Sequence, residues 1–207
     1  MKRIAFMVGV IVLAFGASIL AQRRIGSAAN AMSDEGGLEE ALVQVTPPEP
    51  AAELSKLAIY IGQWKYEGEY SPEFAGAATK VTGDATGEMI LGGHFLQWRW
   101  MERGPAGETH GLEIIGYDPV NKNYPSRVYG DDGSMITGAY TIDKNVSRFS
   151  AKMIAGGKEQ LLTVTETFAA DGMSFRQKAV VSADGRSWAP AFEATFTKLG
   201  PAPTKMP

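Results

Sequence analysis

Trp64-Lys65-Tyr66-Glu67-Gly68-Glu69-Tyr70 alternates aromatic and charged residues without a break, apart from one glycine. That two-residue period places one set of side chains on each face of an extended strand. Leu162-Thr163-Val164-Thr165-Glu166-Thr167-Phe168 and Trp188-Ala189-Pro190-Ala191-Phe192-Glu193-Ala194-Thr195-Phe196 repeat the pattern far along the chain. Turn signals punctuate the interval: Gly92-Gly93, Gly104-Pro105, Asp118-Pro119, Asp131-Asp132-Gly133, Gly156-Gly157, Asp171-Gly172 and Asp184-Gly185. Short strands joined by such turns predict an antiparallel meander, and a meander of about ten strands closes into a barrel. Closure also removes the sheet edges that would otherwise invite association.

Ahead of the first strand, Ala51 to Ile61 predicts a helix. Leu54, Leu57, Ala58 and Ile61 share one face at spacings of three and four, and Gly62 follows as a stop. Such a helix would plug one mouth of the barrel.

Farther out, the chain predicts address and tail. Met1-Lys2-Arg3 is basic, and Ile4 to Leu20, a stretch of about 17 residues, is apolar or small without a charge. Ala21-Gln22-Arg23-Arg24 then returns to polar character, which completes a secretory pattern with cleavage expected after Ala21. The other reading is a retained anchor. Either outcome places the domain outside the cytoplasm, periplasmic or extracellular. Residues 22–50 read as a flexible leader ending in Pro47-Pro48-Glu49-Pro50, residues 51–199 as the barrel, and residues 200–207 as a loose tail.

Composition narrows the functional classes. The 24 glycines among 207 residues favour turns and curved strands. A formal charge of −3 is not the balance of a dedicated nucleic-acid binder. With no cysteine, disulfides, thiolate metal sites and a cysteine nucleophile are excluded. The two histidines, His94 and His110, stand in no ligand spacing, so neither metal nor cofactor is expected, and no catalytic residue is assigned.

Gly62-Gln63-Trp64, following an amphipathic helix, resembles the Gly-x-Trp entry of lipocalins and their calycin relatives. More specifically, Leu57 to Trp64, Leu91-Gly92-Gly93-His94-Phe95-Leu96 and Gly116-Tyr117-Asp118-Pro119 resemble a bacterial family described only as a domain of unknown function. Phe192 to Lys198 resembles its last strand, with Lys198 where an arginine is more usual. The resemblance implies a calycin-like barrel, often exported, and supplies no catalytic residues.

Alternation predicts which side chains look inward. Trp64, Tyr66 and Tyr70 form one inward set, as do Leu162, Val164 and Phe168, and Trp188, Phe192 and Phe196. Leu96, Trp98 and Trp100 form another, with Gln97 and Arg99 facing water. Glu166 falls in phase with an inward set, so it is either a polar anchor for a ligand's donor group or a carboxylate satisfied for structural reasons. Gln177 is a weaker case of the same kind. Arg127, Tyr129 and Asp131 share a strand face that either meets a ligand inside or solvent outside.

The candidate ligand-binding set is therefore Tyr66, Trp98, Trp100, Arg127, Tyr129, Asp131, Glu166 and Gln177. The function it favours is binding of a small, partly apolar or aromatic molecule, with no membrane association beyond the signal segment. A barrel packed solid and working through its surface is the alternative, and an enzyme with Glu166 or Asp131 as general base is a third.

Overall fold

In a computed structural model describing residues 48–155 and 158–201, the alternating stretches become ten antiparallel strands that close on themselves. The expected signal segment 1–21, most of the leader, the Gly156-Gly157 turn and residues 202–207 lie outside the described residues. The strands are β1 (Gly62–Tyr70), β2 (Thr79–Ile90), β3 (Phe95–Gly104), β4 (Gly107–Ile115), β5 (Tyr124–Gly130), β6 (Met135–Asp143), β7 (Val146–Ala155), β8 (Lys158–Phe168), β9 (Ser174–Ser182) and β10 (Ala189–Gly200). Each pairs with its sequence neighbour, and β1 also pairs with β10 to close the ring. The expected meander barrel is thus the observed fold.

Closure is built from rings. The β1–β10 register sets Tyr66 opposite Phe196 and Tyr70 opposite Phe192. Their centroids are 4.6 Å apart in both pairs. Phe196 stacks in turn on Phe175 of β9 at 4.3 Å. Such cross-strand aromatic pairs add to the burial that holds each ladder in register.

The plug is present, but as a 3₁₀ helix, Ala52–Tyr60. Its buried residues are Leu54, Leu57 and Tyr60, a strict spacing of three that matches three residues per turn. Ala58, expected inward at α-helical spacing, is exposed, and Tyr60 takes the core position. Gly62 does not cap the helix: Ile61 ends it, and Gly62, at φ +135°, opens β1. Two hydrogen bonds seat the plug. Trp64 Nε1 donates to the Tyr60 carbonyl at 2.9 Å, and the Tyr124 hydroxyl donates to the Glu53 carbonyl at 3.0 Å. The first satisfies a carbonyl in the last turn, which the helix leaves open, and the second ties the first turn to β5.

Two departures from simple alternation matter for the site. β10 carries a bulge between Pro190 and Phe192, where a proline is tolerated because ladder pairing is already broken. The extra residue changes the phase: Ala191 faces in before it, and Phe192, Ala194 and Phe196 after it. Trp188, expected inward, therefore stands outside at 43% exposure. Secondly, β1 and β2 are joined by a short helix, α1 (Pro72–Ala75), which Gly76 ends at φ +79° and which lies outside the turn signals read from the sequence. Ser71 caps it and ties it to β10 through Oγ, which donates to the Pro190 carbonyl at 2.6 Å.

Candidate functional site

The strand directions divide the barrel into two ends. At the plugged end lie Leu57, Trp64, Leu96, Ile115 and Phe175, all essentially without solvent contact. Toward the other end, the same strands line a cavity of about 340 Å³ whose rim includes Phe74 of α1. A cavity of that size falls in the range of small-molecule sites. Trp98 and Phe196 form its floor, Tyr66, Tyr70, Trp100 and Phe192 its aromatic wall, and Val128, Ile136, Ala179 and Val181 are part of an aliphatic wall across from them.

The aromatic wall needs space that its neighbours provide by having no side chain. The Trp100 indole lies across Gly111, where an added Cβ would come within 1.9 Å of the ring. Tyr66 lies likewise over Gly83, at 2.3 Å from such a Cβ. Side chains there would push both rings out of place.

Among the described residues, every charged side chain lining the cavity is acidic. Glu102, one position beyond Trp100 on the inward phase of β3, accepts from the Tyr70 hydroxyl at 3.0 Å on Oε1 and from the Tyr66 hydroxyl at 3.1 Å on Oε2. Burial pushes the Glu102 carboxyl up, and the two hydroxyls oppose that by stabilising its charge. Burial and the nearby carboxylate push both tyrosines well above their ordinary range, so they remain donors. Deeper in, Glu113 of β4 is 7% exposed and accepts from the Ser126 hydroxyl. Its carboxyl is pushed up to about 7, chiefly by burial, with the Glu166 charge adding to the effect. Ser126 and Tyr140 work the other way.

Glu166 occupies a separate polar pocket below the cavity. The Tyr60 hydroxyl donates to its Oε2 and shares a hydrogen bond of 2.8 Å with Ser147 Oγ. Gln177 Nε2 donates to Oε1 at 2.9 Å. At 4% exposure the carboxyl is pushed up by burial and pulled back by these three partners. Among the described residues no fully buried side-chain nitrogen or oxygen lacks a partner, and no group of three acidic or histidine side chains is placed to hold a metal ion.

A family model matches residues 49–198, which is nearly the whole barrel with its plug. The chain belongs to the family described as protein of unknown function, DUF1579. The fold of this DUF1579 member is similar to the crystal structure of Rv2717c from M. tuberculosis, at 15% identity and a TM-score of 0.53, covering 72% of this chain and 99% of that one. The S-type phycobiliprotein lyase CPES from Guillardia theta aligns at 8% identity and a TM-score of 0.45, over 73% of this chain and 93% of its own. No curated protein matches the sequence.

Of the residues singled out in this DUF1579 sequence, Tyr66, Trp98, Trp100 and Gln177 line the cavity. Glu166 is interior but walled off, in keeping with the structural reading of its phase. Arg127, Tyr129 and Asp131 are outside. Tyr124, Ser126 and Val128 set the inward phase of β5, which turns Arg127 and Tyr129 to solvent, and Asp131 receives the His110 backbone N–H at 2.8 Å on the surface. That triplet therefore lies on the solvent side of the barrel and does not line the cavity. Glu102 and Glu113 were missed. Glu102 continues the phase of Trp98 and Trp100, so the signal was there. Glu113 sits between Leu112 and Ile114, which mimic the inward set and hide it.

Proposed function

We propose that this barrel binds a small, partly apolar molecule in the cavity between β1, β3 and β10 on one side and β5, β8 and β9 on the other. The observation that carries the proposal is the cavity itself: about 340 Å³ of space inside an otherwise tightly packed barrel, walled by aromatic rings and reached by few polar groups. The basic start, apolar stretch and small residue at the N-terminus support a working place outside the cytoplasm, periplasmic or extracellular.

The test is native mass spectrometry of the protein, expressed with its own N-terminus and recovered from the exported fraction. A co-purifying mass that leaves on denaturation supports the reading and identifies the occupant. A bare mass, with no thermal shift across lipids, haem and aromatic acids and amines, counts against it.

A catalytic reading keeps one observation in its favour. Glu113 lines the cavity with its carboxyl pushed up to about 7, where it could exchange a proton near neutrality. Turnover of a bound compound that Glu113→Gln abolishes would replace the binding reading with that one.

A further inference from the structure

We infer that the cavity is built for an alkylated ammonium ion carrying an apolar body, with the cation seated beside Glu102 among the rings of Tyr66, Tyr70, Trp100 and Phe192. This rests on the binding reading above and names the chemistry of its ligand.

Three observations converge on a cation. Charge comes first: Glu102 and Glu113 line the space, and among the described residues no lysine, arginine or histidine does. A carboxylate-bearing guest would face two like charges in a low-dielectric space with nothing to pair it. Ring placement is the second. Tyr70 stands 4.6 Å from Phe192 and 6.1 Å from Phe74, and Trp100 and Tyr66 share the same wall. Rings beside a carboxylate give the alkyl groups of an organic cation a polarisable apolar surround, while the carboxylate charge supplies the main attraction.

The third observation selects alkylated over primary ammonium. Each oxygen of Glu102 already accepts a tyrosine hydroxyl, at 3.0 Å and 3.1 Å. Two of its roughly four acceptor sites are thus taken, which leaves at most two for the three N–H groups of a primary ammonium. A primary ammonium must replace three hydrogen bonds to water, whereas a methylated nitrogen brings few or none. The aliphatic wall of Val128, Ile136, Ala179 and Val181 then receives the apolar body.

The experiment follows tryptophan fluorescence of the intact barrel at pH 8 with three probes. Benzyltrimethylammonium is the cation, neopentylbenzene is its neutral isostere with carbon for nitrogen, and 3-phenylpropanoate is an anion of similar size. The cation is expected to bind about tenfold or more tightly than the neutral isostere, and the anion least. Glu102→Gln keeps both tyrosine hydroxyls partnered and should cut the cation-to-neutral preference about tenfold. Trp100→Leu should weaken cation binding as well. If the neutral or anionic probe binds as well as the cation, the cation assignment falls while the binding reading stands. A cation preference that survives Glu102→Gln removes the role of that carboxylate. If none of the three probes binds, the cation assignment falls, and the binding reading stands or falls on the native mass measurement above.

Discussion

The two ends of this barrel use the same inward-facing positions and reach opposite results. At the plugged end large rings arrive from every side. Tyr60 meets Phe168 at 5.2 Å, Trp64 meets Phe175 at 5.1 Å, and Phe175 lies flat on Phe196. At the open end most large rings come from β1, β3 and β10, joined by Tyr140 of β6, Phe149 of β7 and Phe74 of α1, while β5, β8 and β9 contribute no ring, only valine, leucine, alanine and Gln177. Side chains too short to meet their partners leave a void, and the void is the cavity. Whether such a barrel is filled or hollow is thus a matter of side-chain size along each strand, and here both answers hold in one molecule.

The largest expected effect compares two tryptophans across that divide. Trp64 is fully buried under the plug, so Trp64→Ala should cost about 3–5 kcal/mol in urea unfolding. Trp100 borders a space that already exists, so Trp100→Ala should cost less than about half of that while it weakens ligand uptake. Equal costs for the two would break the comparison, because the open end would then be packed as tightly as the closed one.

Next in size is a pH effect that originates at the cavity floor. The folded-state Glu113 carboxyl sits at about 7, above the ordinary 4.5. Between those values the folded protein holds a proton that the unfolded chain has lost, so stability falls as pH rises through that window. For a fully buried group the loss amounts to about 3 kcal/mol from pH 4.5 to pH 8. Glu166 and Glu102, also raised by burial, act in the same direction. Asp118, Asp132 and Asp184 are held low by turn hydrogen bonds and oppose further gain below the ordinary carboxylate range. Thermal melts should therefore peak near pH 5, and Glu113→Gln should flatten the decline toward pH 8. A variant with the same slope as the wild type would move the effect elsewhere.

These contrasts also explain what the sequence could show. Strand phase is a local property, and β1 and β8 were legible because Trp64 to Tyr70 and Leu162 to Phe168 alternate in sequence, whereas β3 alternates only from Leu96 to Trp100. Trp188 was misplaced because a bulge inserts one residue between it and the strand it belongs to, and alternation carries no record of that. Tyr60 was overlooked because a three-residue period over nine residues is close enough to 3.6 to be mistaken for it. The cavity was illegible for a different reason. It depends on which side chains face each other across the barrel, and those pairs lie far apart in the chain. Glu166 could be placed inside from its phase, but its partners Tyr60, Ser147 and Gln177 come from three other elements.

The smallest expected effect is also the sharpest test of the divide, because it removes one hydroxyl at each end. Tyr60→Phe takes a donor from Glu166 where no water can replace it, and should cost about 1–3 kcal/mol, more at pH 8 than at pH 5. Tyr70→Phe takes a donor from Glu102, which borders a cavity that water can enter, and should cost under about 1 kcal/mol. The two substitutions delete the same atom from the same kind of bond, so the ring itself is not in question. What differs is whether the orphaned carboxyl can find a new partner. Urea unfolding of both variants at the two pH values reads that difference directly. A Tyr70→Phe cost as large as that of Tyr60→Phe would mean that the mouth carboxyl is as dry as the buried one. The cavity would then be an enclosed void with no route to solvent.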